Sequence, residues 1–320
     1  MKILNKQDFA YSVGTITGFT DQTSTELITK SLLGGITASN IQVRLGLKGT
    51  QQIQVLDSTL YPQDGSCGWT ASGTTTFTQV SLTVCPEKIN EALCPDDLYS
   101  TYQSLLLVKG QTEEDVPFAN QIAELKVKQI QARIESKLWT ATVLGGDCFN
   151  GFKTTIASGQ TGVAASAGTA FDVTKSYGTA GNPIYEVDLL INALDDDAMS
   201  RDDLQVWMSH ANFRKYVQAL TVANYFQNYI NDTEITGQMS AIHPNTNIKV
   251  YPTIGLNGVN RVVIGPAGYM FAGFDLMSDA DSMDMWYSKD NDEIRLRANY
   301  NYGSAVKTFS DINYFAVNGL

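Results

Sequence analysis

Histidine is almost absent from this 320-residue chain: His210 and His243 are the only two. That scarcity removes the commonest general acid–base group, and no G-x-S-x-G elbow or visible Ser/His/Asp arrangement compensates for it. His210 sits at an expected strand-to-helix junction and His243 precedes Pro244, so both read as ordinary polar or capping residues. Cysteine is sparse too, and Cys67, Cys85, Cys94 and Cys148 form no C-x-x-C pair, which argues against a zinc or thioredoxin-like site and predicts four reduced thiols. Neither G-x-x-x-x-G-K-[ST] nor a strand-linked G-x-G-x-x-G occurs, so no phosphate cradle is expected. There is no run of about 18 apolar residues to cross a membrane. The opening Met-Lys-Ile-Leu-Asn-Lys-Gln-Asp lacks the apolar core of a signal peptide, which predicts a soluble protein made in a cytoplasm. The Asn231-Asp-Thr233 acceptor for glycosylation is disregarded for the same reason. Basic charge is also short. Lys and Arg number 22 against 33 Asp and Glu, and a net charge of -11 excludes a general nucleic-acid binder, which neutralises phosphates with clustered cations. No cofactor, resident metal or catalytic step is expected.

What is present is order. Residues 1 to 47 mix short apolar runs with Thr, Ser and Gly and read as an arm that needs other surfaces. Gln51 to Leu56 and Thr74 to Val80 are β-branched or alternating pieces around Tyr61, Pro62, Asp64, Gly65, Gly68 and Gly73, which predicts one long hairpin. Its tip carries Cys67 and Trp69. Asp57 and Asp64 are the only charges between positions 49 and 79, and a two-stranded hairpin with so few solubilising groups is marginal alone and invites a neighbour.

Pro86 and Pro95 break the chain before a helical piece at Asp97 to Val108. A long amphipathic helix is then expected over Thr112 to Leu144. Phe118, Ile122, Leu125, Ile130, Ile134 and Leu138 form its apolar stripe, against Glu124, Lys126, Lys128, Arg133, Glu135 and Lys137. Acidic residues at 113 to 115 and Pro117 suit its start, and Gly145 and Gly146 its end. Counted from Pro117, such a helix spans roughly 42 Å at ~1.5 Å per residue. A small-residue loop follows from Ser158 to Gly181. Helical spacing at Val187, Leu190, Ile191 and Leu194 precedes a strand at Leu204 to Met208, a cap at Ser209 and a helix at Asn212 to Leu220. Strands are expected at Ile248–Tyr251, Arg261–Ile264, Tyr269–Phe274, Met283–Tyr287, Ile294–Tyr300, Val306–Phe309 and Ile312–Val317. Between Ile184 and Glu293 lie 16 acidic and 6 basic residues, so nearly all the excess negative charge sits in one lobe. Asp195, Asp196, Asp197, Asp202 and Asp203 could attract a hard cation but read as a solvated face. Asp279, Asp281, Asp284, Asp290 and Asp292 lack the spacing of an EF-hand loop.

Arm, hairpin, strut helix, acidic α/β lobe and closing strands, in that order, resemble the major capsid protein of tailed bacteriophages of the Hong Kong ninety-seven type. Phe77 to Val84 with Ile89 to Asp97 is similar to the strand returning from that family's extended loop. Gly145-Gly146 and Phe149-Asn-Gly-Phe152 are similar to the end of its spine helix. Leu204 to Ser209 with Phe213 and Leu220, Ile248 to Pro252, Val262 to Pro266, and Glu293 to Arg297 through Val306 to Val317 carry the rest. The resemblance implies an α+β fold divided into an N-terminal arm (1–47), extended loop or E-loop (48–80), peripheral (P) domain with spine helix (81–184, helix 112–144), axial (A) domain (185–285) and closing peripheral strands (286–320). It implies a non-enzymatic subunit that assembles as hexamers and pentamers around packaged DNA, within a virion built in a host bacterial cytoplasm. Leu56, Tyr61, Trp69 and Phe77 are then candidate inter-subunit contacts, and Lys126, Lys128, Arg133 and Lys137 candidate DNA-facing cations. Implied partners are copies of itself, a separate scaffolding protein, a portal and a decoration protein, without a membrane. Because positions 49 to 79 hold no Lys, covalent cross-linking through a loop lysine is not expected. The rival readings are an encapsulin-type compartment shell and, more distantly, a soluble α/β enzyme using the Asp195 cluster.

Overall fold

The longest helix forms where Val127, Ile130, Ile134 and Leu138 recur every three or four residues and are buried together. In a computed structural model of the protein, the described residues are 35–93, 118–159, 170–225, 239–275, 283–307 and 316–318, apart from 66, 69, 70, 245, 289 and 292. Most of the expected arm, the helical piece at Asp97 to Val108 and the first turns expected of the long helix lie outside them. A short helix α1 (Ile36–Asn40) leads into β1 (Gln42–Leu45) and the hairpin strands β2 (Thr50–Thr59) and β3 (Thr74–Thr83). Then come β4 (Cys85–Leu93), the long helix α2 (Phe118–Thr140) and α3 (Phe152–Gly159).

The second half contains α4 (Pro183–Asn192), α5 (Asp196–Met199), β5 (Leu204–Ser209) and α6 (His210–Val222). It continues with β6 (Ala241–Ile242), β7 (Lys249–Thr253), β8 (Val262–Pro266), β9 (Met270–Asp275), β10 (Met283–Ser288), β11 (Glu293–Val306) and β12 (Ala316–Asn318). Asn182 caps α4 through Ile184 and Tyr185, and Ser209 caps α6 through Asn212, as its position predicts.

Two sheets result. In one, β1 pairs with β9 and β9 with β11; the 14 residues of β11 are long enough to pair also with β10 and, along the other side, with β4. The other runs β12-β8-β5-β7-β6, with β5 and β7 parallel. Helix α2 packs its buried stripe on the first sheet, where Leu296, Ala298, Tyr300 and Phe274 meet Ile130, Ile134 and Leu138. Helices α4 and α6 cover the second sheet through Val187, Leu190, Phe213 and Tyr216. Trp139 bridges the two: it stacks edge-on with Phe152 at 5.5 Å and lies 6.1 Å from Trp207 of β5. Gly255 passes against its ring, where a Cβ would overlap the indole.

Several expectations need correction. Helix α2 ends at Thr140 rather than Leu144, because the Asp147 carboxylate accepts from Thr142 N–H and Lys137 Nζ while Gly151 N–H takes the Ala141 carbonyl. Leu125 is exposed, and Val127 takes the place expected for it in the stripe. Glu135, expected on the solvated side, is buried. Phe152–Gly159, expected to be partly loop, is helical, and the two strands expected over 294–309 form one continuous β11 up to Val306. Pro86 does not break the chain. It lies inside β4, on the sheet edge where a missing N–H is tolerated. Cys85 and Cys148 are joined as a disulfide, with Cα atoms 6.3 Å apart, because the loop after α2 folds back over the start of β4; this overturns the expectation of four reduced thiols. Cys67 is free and exposed, and Cys94 lies outside the described residues.

Candidate assembly surfaces

Strands β2 and β3 pair from Thr50↔Thr83 to Thr59↔Thr74, a ten-residue ribbon. Side chains alternate between its faces. Ile53 and Leu82 turn inward at the root and pack with Leu47, Val84, Phe271 and Ala305. The root can lie this close to the first sheet because β9 and β11 carry Gly273 and Gly303 there; a Cβ on Gly303 would overlap the Thr83 carbonyl. The opposite face is a ladder of uncharged polar pairs. Thr50 bonds Thr83 at 3.0 Å, Gln52 bonds Ser81 at 2.9 Å, and Ser58 bonds Thr75 at 3.1 Å.

One apolar pair interrupts that ladder. Leu56 and Phe77 are register partners, 56% and 74% exposed, and nearer the tip Leu60 is 90% and Tyr61 62% exposed. Three of the four sequence-derived contact candidates are therefore exposed on one hairpin, Leu56 and Phe77 on its strands and Tyr61 just beyond β2, while Trp69 lies outside the described residues. A hairpin shielded only at its root leaves these apolar side chains wet in the single chain.

The four helix cations are brought to one element but are mostly neutralised within the chain. Lys126 pairs with Glu91 of β4 at 2.5 Å, Arg133 with Glu87, and Lys137 with Asp147 at 2.7 Å. Glu87 also accepts from Tyr302 Oη at 2.7 Å and Tyr300 Oη at 3.2 Å, and burial, reinforced by Glu87, pushes both phenols up. Among the described residues of α2, Lys128 is the exposed cation outside these three pairs.

The acidic cluster does local structural work. Asp195 caps α5, and Asp203 holds Arg201 through two contacts of 2.8 and 2.9 Å while accepting from Gly268 N–H. Of the second acidic group, Asp279, Asp281 and Asp292 fall outside the described residues. Among the described residues no group of three or more His, Cys, Asp or Glu is placed to hold a metal, and no helix is long and apolar enough to cross a membrane. His210 opens α6 beside Asn257, whereas His243 is a core residue: Nδ1 meets Tyr216 Oη at 2.8 Å and Nε2 meets Asp188 at 2.7 Å.

Sequence reasoning missed the buried polar node around Glu135. Thr37 N–H lies 3.1 and 3.2 Å from its two oxygens, Thr37 Oγ1 bonds it directly, and Thr253 Oγ1 donates at 2.9 Å. Trp139 Nε1 donates to Thr37 Oγ1 at 2.8 Å. The available signal was Glu135 standing four residues before Trp139, on the same helix face.

No family model matches the sequence, and no curated protein matches it. Solved structures do. A chain of the satellite phage P4 procapsid, a particle that includes the size determination (Sid) protein, aligns over 98% of both chains at a TM-score of 0.55 and 10% identity. A Microbacterium phage Oxtober96 chain aligns over 89% of this chain and 90% of its own at 0.53 and 10% identity. The capsid of an empty GTA particle aligns over 90% and 88% at 0.51 and 13% identity. The chain has the fold of phage capsid proteins. The likeness spans nearly all of the polypeptide while hardly any residues are shared, so it is one of architecture, and the mixture of helices and strands expected from the sequence agrees with it.

Proposed function

We propose that the chain is a major capsid protein whose copies build a closed icosahedral shell around the double-stranded DNA of a tailed phage. The observation that carries the reading is a hairpin rooted on the subunit but left wet at Leu56, Leu60, Tyr61 and Phe77, within a fold that capsid proteins share. The hairpin is the extended loop. The first sheet with α2 is the core of the peripheral domain and its spine, the second sheet with α4 and α6 is the core of the axial domain, and residues 1–47 supply the arm; β1 within 1–47 and β9 within 185–285 pair in the first sheet and β12 within 286–320 in the second, which departs from the domain bounds read from the sequence. The mechanism is geometric: each hairpin lies across a neighbouring subunit, and complete burial of one such side chain contributes roughly 1.5 to 3 kcal/mol, repeated at every contact around the shell. The acidic lobe faces the hexamer and pentamer axes, where like charge opposes collapse until specific contacts fix the ring.

Scaffolding, portal and decoration proteins are the partners this reading calls for, and assembly takes place in a host cytoplasm. DNA contact is non-specific and weak along α2, where Lys126, Arg133 and Lys137 have carboxylate partners and Lys128 remains available. The test is the content of native particles. Nuclease-resistant double-stranded DNA is expected inside them; an enclosed enzyme with no genome would support a compartment shell and overturn the virion assignment.

A further inference from the structure

The loop after α2 is held to the first sheet by more than its sulfur. Asp147 accepts from Thr142 N–H at 3.0 Å and pairs with Lys137 at 2.7 Å, the Asn150 side chain accepts from Val143 N–H at 3.0 Å, and Gly151 N–H donates to the Ala141 carbonyl at 2.8 Å. Ser304 Oγ of β11 donates to the Asn150 carbonyl at 3.1 Å, and the buried Phe149 ring meets Tyr302 edge-on at 5.3 Å. None of these contacts passes through sulfur, yet together they set Cys148 over Cys85 with Cα atoms 6.3 Å apart, inside the span a disulfide tolerates. The two cysteines differ in setting: Cys85 is buried at the start of β4, whereas Cys148 faces solvent. Two and six residues along β4, on the same face as Cys85, Glu87 and Glu91 pair with Arg133 and Lys126 of α2. The sulfurs therefore stand at one end of a seam between β4 and α2 whose ion pairs are partly exposed and so hold weakly.

We propose that Cys85 and Cys148 form a redox-gated staple: the loop is already in place when both are thiols, and oxidation of the folded subunit locks the end of α2 to the edge of the first sheet. A small disulfide such as oxidised glutathione is the oxidant. The exposed Cys148 thiolate attacks one of its sulfurs and releases one glutathione thiolate; the Cys85 thiolate then attacks Cys148 Sγ of the mixed disulfide and releases the second. The two leaving thiolates take up the two protons that the cysteines give up, so one S–S bond and two S–H bonds are exchanged for the same number. Reduction runs back along this path, with a small thiol entering at Cys148 Sγ. The bond closes a loop of 63 positions, which removes conformations from the unfolded chain and favours the folded one. In a reducing cytoplasm the staple stands open, and in an oxidising medium it shuts. That timing rests on the cytoplasmic assembly proposed above; the reversible closing does not.

The experiment takes full-length wild-type protein purified in dithiothreitol, freed of it, and treated with oxidised glutathione. The folded protein is expected to lose the mass of two hydrogen atoms, with peptide mapping joining Cys85 to Cys148, and to regain them in dithiothreitol while its circular dichroism stays the same in both states. The oxidised form should melt roughly 5 to 10 °C above the reduced form. Cys148→Ser, changed at the exposed end, is expected to melt with the reduced wild type under either condition. Failure of the folded protein to join this pair, a link to Cys67 or Cys94 in its place, a bond that opens only in denaturant, equal melting of the two forms, or a variant that keeps the oxidant's effect would each overturn the proposal. The wild-type comparison decides even if the variant does not fold. Particles whose two cysteines stay reduced after oxidation defeat the staple alone, whereas a staple that closes in protein forming no particles defeats only the shell reading.

Discussion

Replacing Leu56 and Phe77 together by Asp is expected to leave a folded subunit and to abolish closed particles. The two residues are register partners on the hairpin face turned away from the Ile53 and Leu82 root cluster, and both are mostly exposed. The single chain therefore loses little packing when they change, and its melting temperature should move by no more than about 2 °C, as for ordinary surface substitutions. The assembled state differs. There each copy would forgo roughly 3 to 6 kcal/mol of apolar burial and would bring two carboxylates into a desolvated contact without partners. Association within a shell is repeated many times over, so a loss of that size per contact is expected to shift the population from particles to free subunits in sedimentation velocity. Particles formed in normal yield by the double variant would remove the hairpin from the mechanism.

Trp139→Ala is expected to give the largest loss of stability of any single change considered. Its ring is fully buried between Phe152, Trp207 and the backbone at Gly255, at the place where α2 on the first sheet meets the end of β5 in the second. Truncating such a residue typically costs about 3 to 5 kcal/mol through lost contacts and the cavity left behind. Thr37 Oγ1 would also lose the indole donor that helps hold it toward Glu135. At about 2 to 4 °C per kcal/mol for domains of comparable size, melting should fall by on the order of 10 °C in calorimetry. Trp139→Phe, which retains most of the ring, should fall by less than half as much. A change of under about 2 °C for the alanine variant would mean that the two cores are not tied together here.

The hairpin was legible in the sequence because its signals are local. Alternation over Gln51 to Leu56 and Thr74 to Val80, with turn-forming residues between them, needs no distant information. The cap at Ser209 was readable for the same reason. Where the reading failed, the deciding partner lay far off in the chain. The strands expected at Ile294–Tyr300 and Val306–Phe309 are joined in β11, which runs through Gly303 where the glycine makes room for the Thr83 carbonyl of the hairpin root. Gly145 and Gly146 look like the end of α2, but Asp147 and Gly151 take its last groups several residues earlier. Glu135 is indistinguishable by composition from a solvated helix acid until Thr37 and Thr253 close around it. The helix cations looked like one basic face because Glu87 and Glu91 of β4, which pair with two of them, stand more than 30 residues away. The cysteine pairing was likewise hidden by a separation of 63 positions.

The most direct measurement is electron microscopy of the purified wild-type protein, carried to a resolution at which strands can be traced. Closed shells are predicted, with each β2–β3 ribbon lying on an adjoining subunit and the Leu56–Phe77 pair covered by it. A monodisperse monomer at high concentration, or shells in which that pair still faces open solvent, would contradict the account.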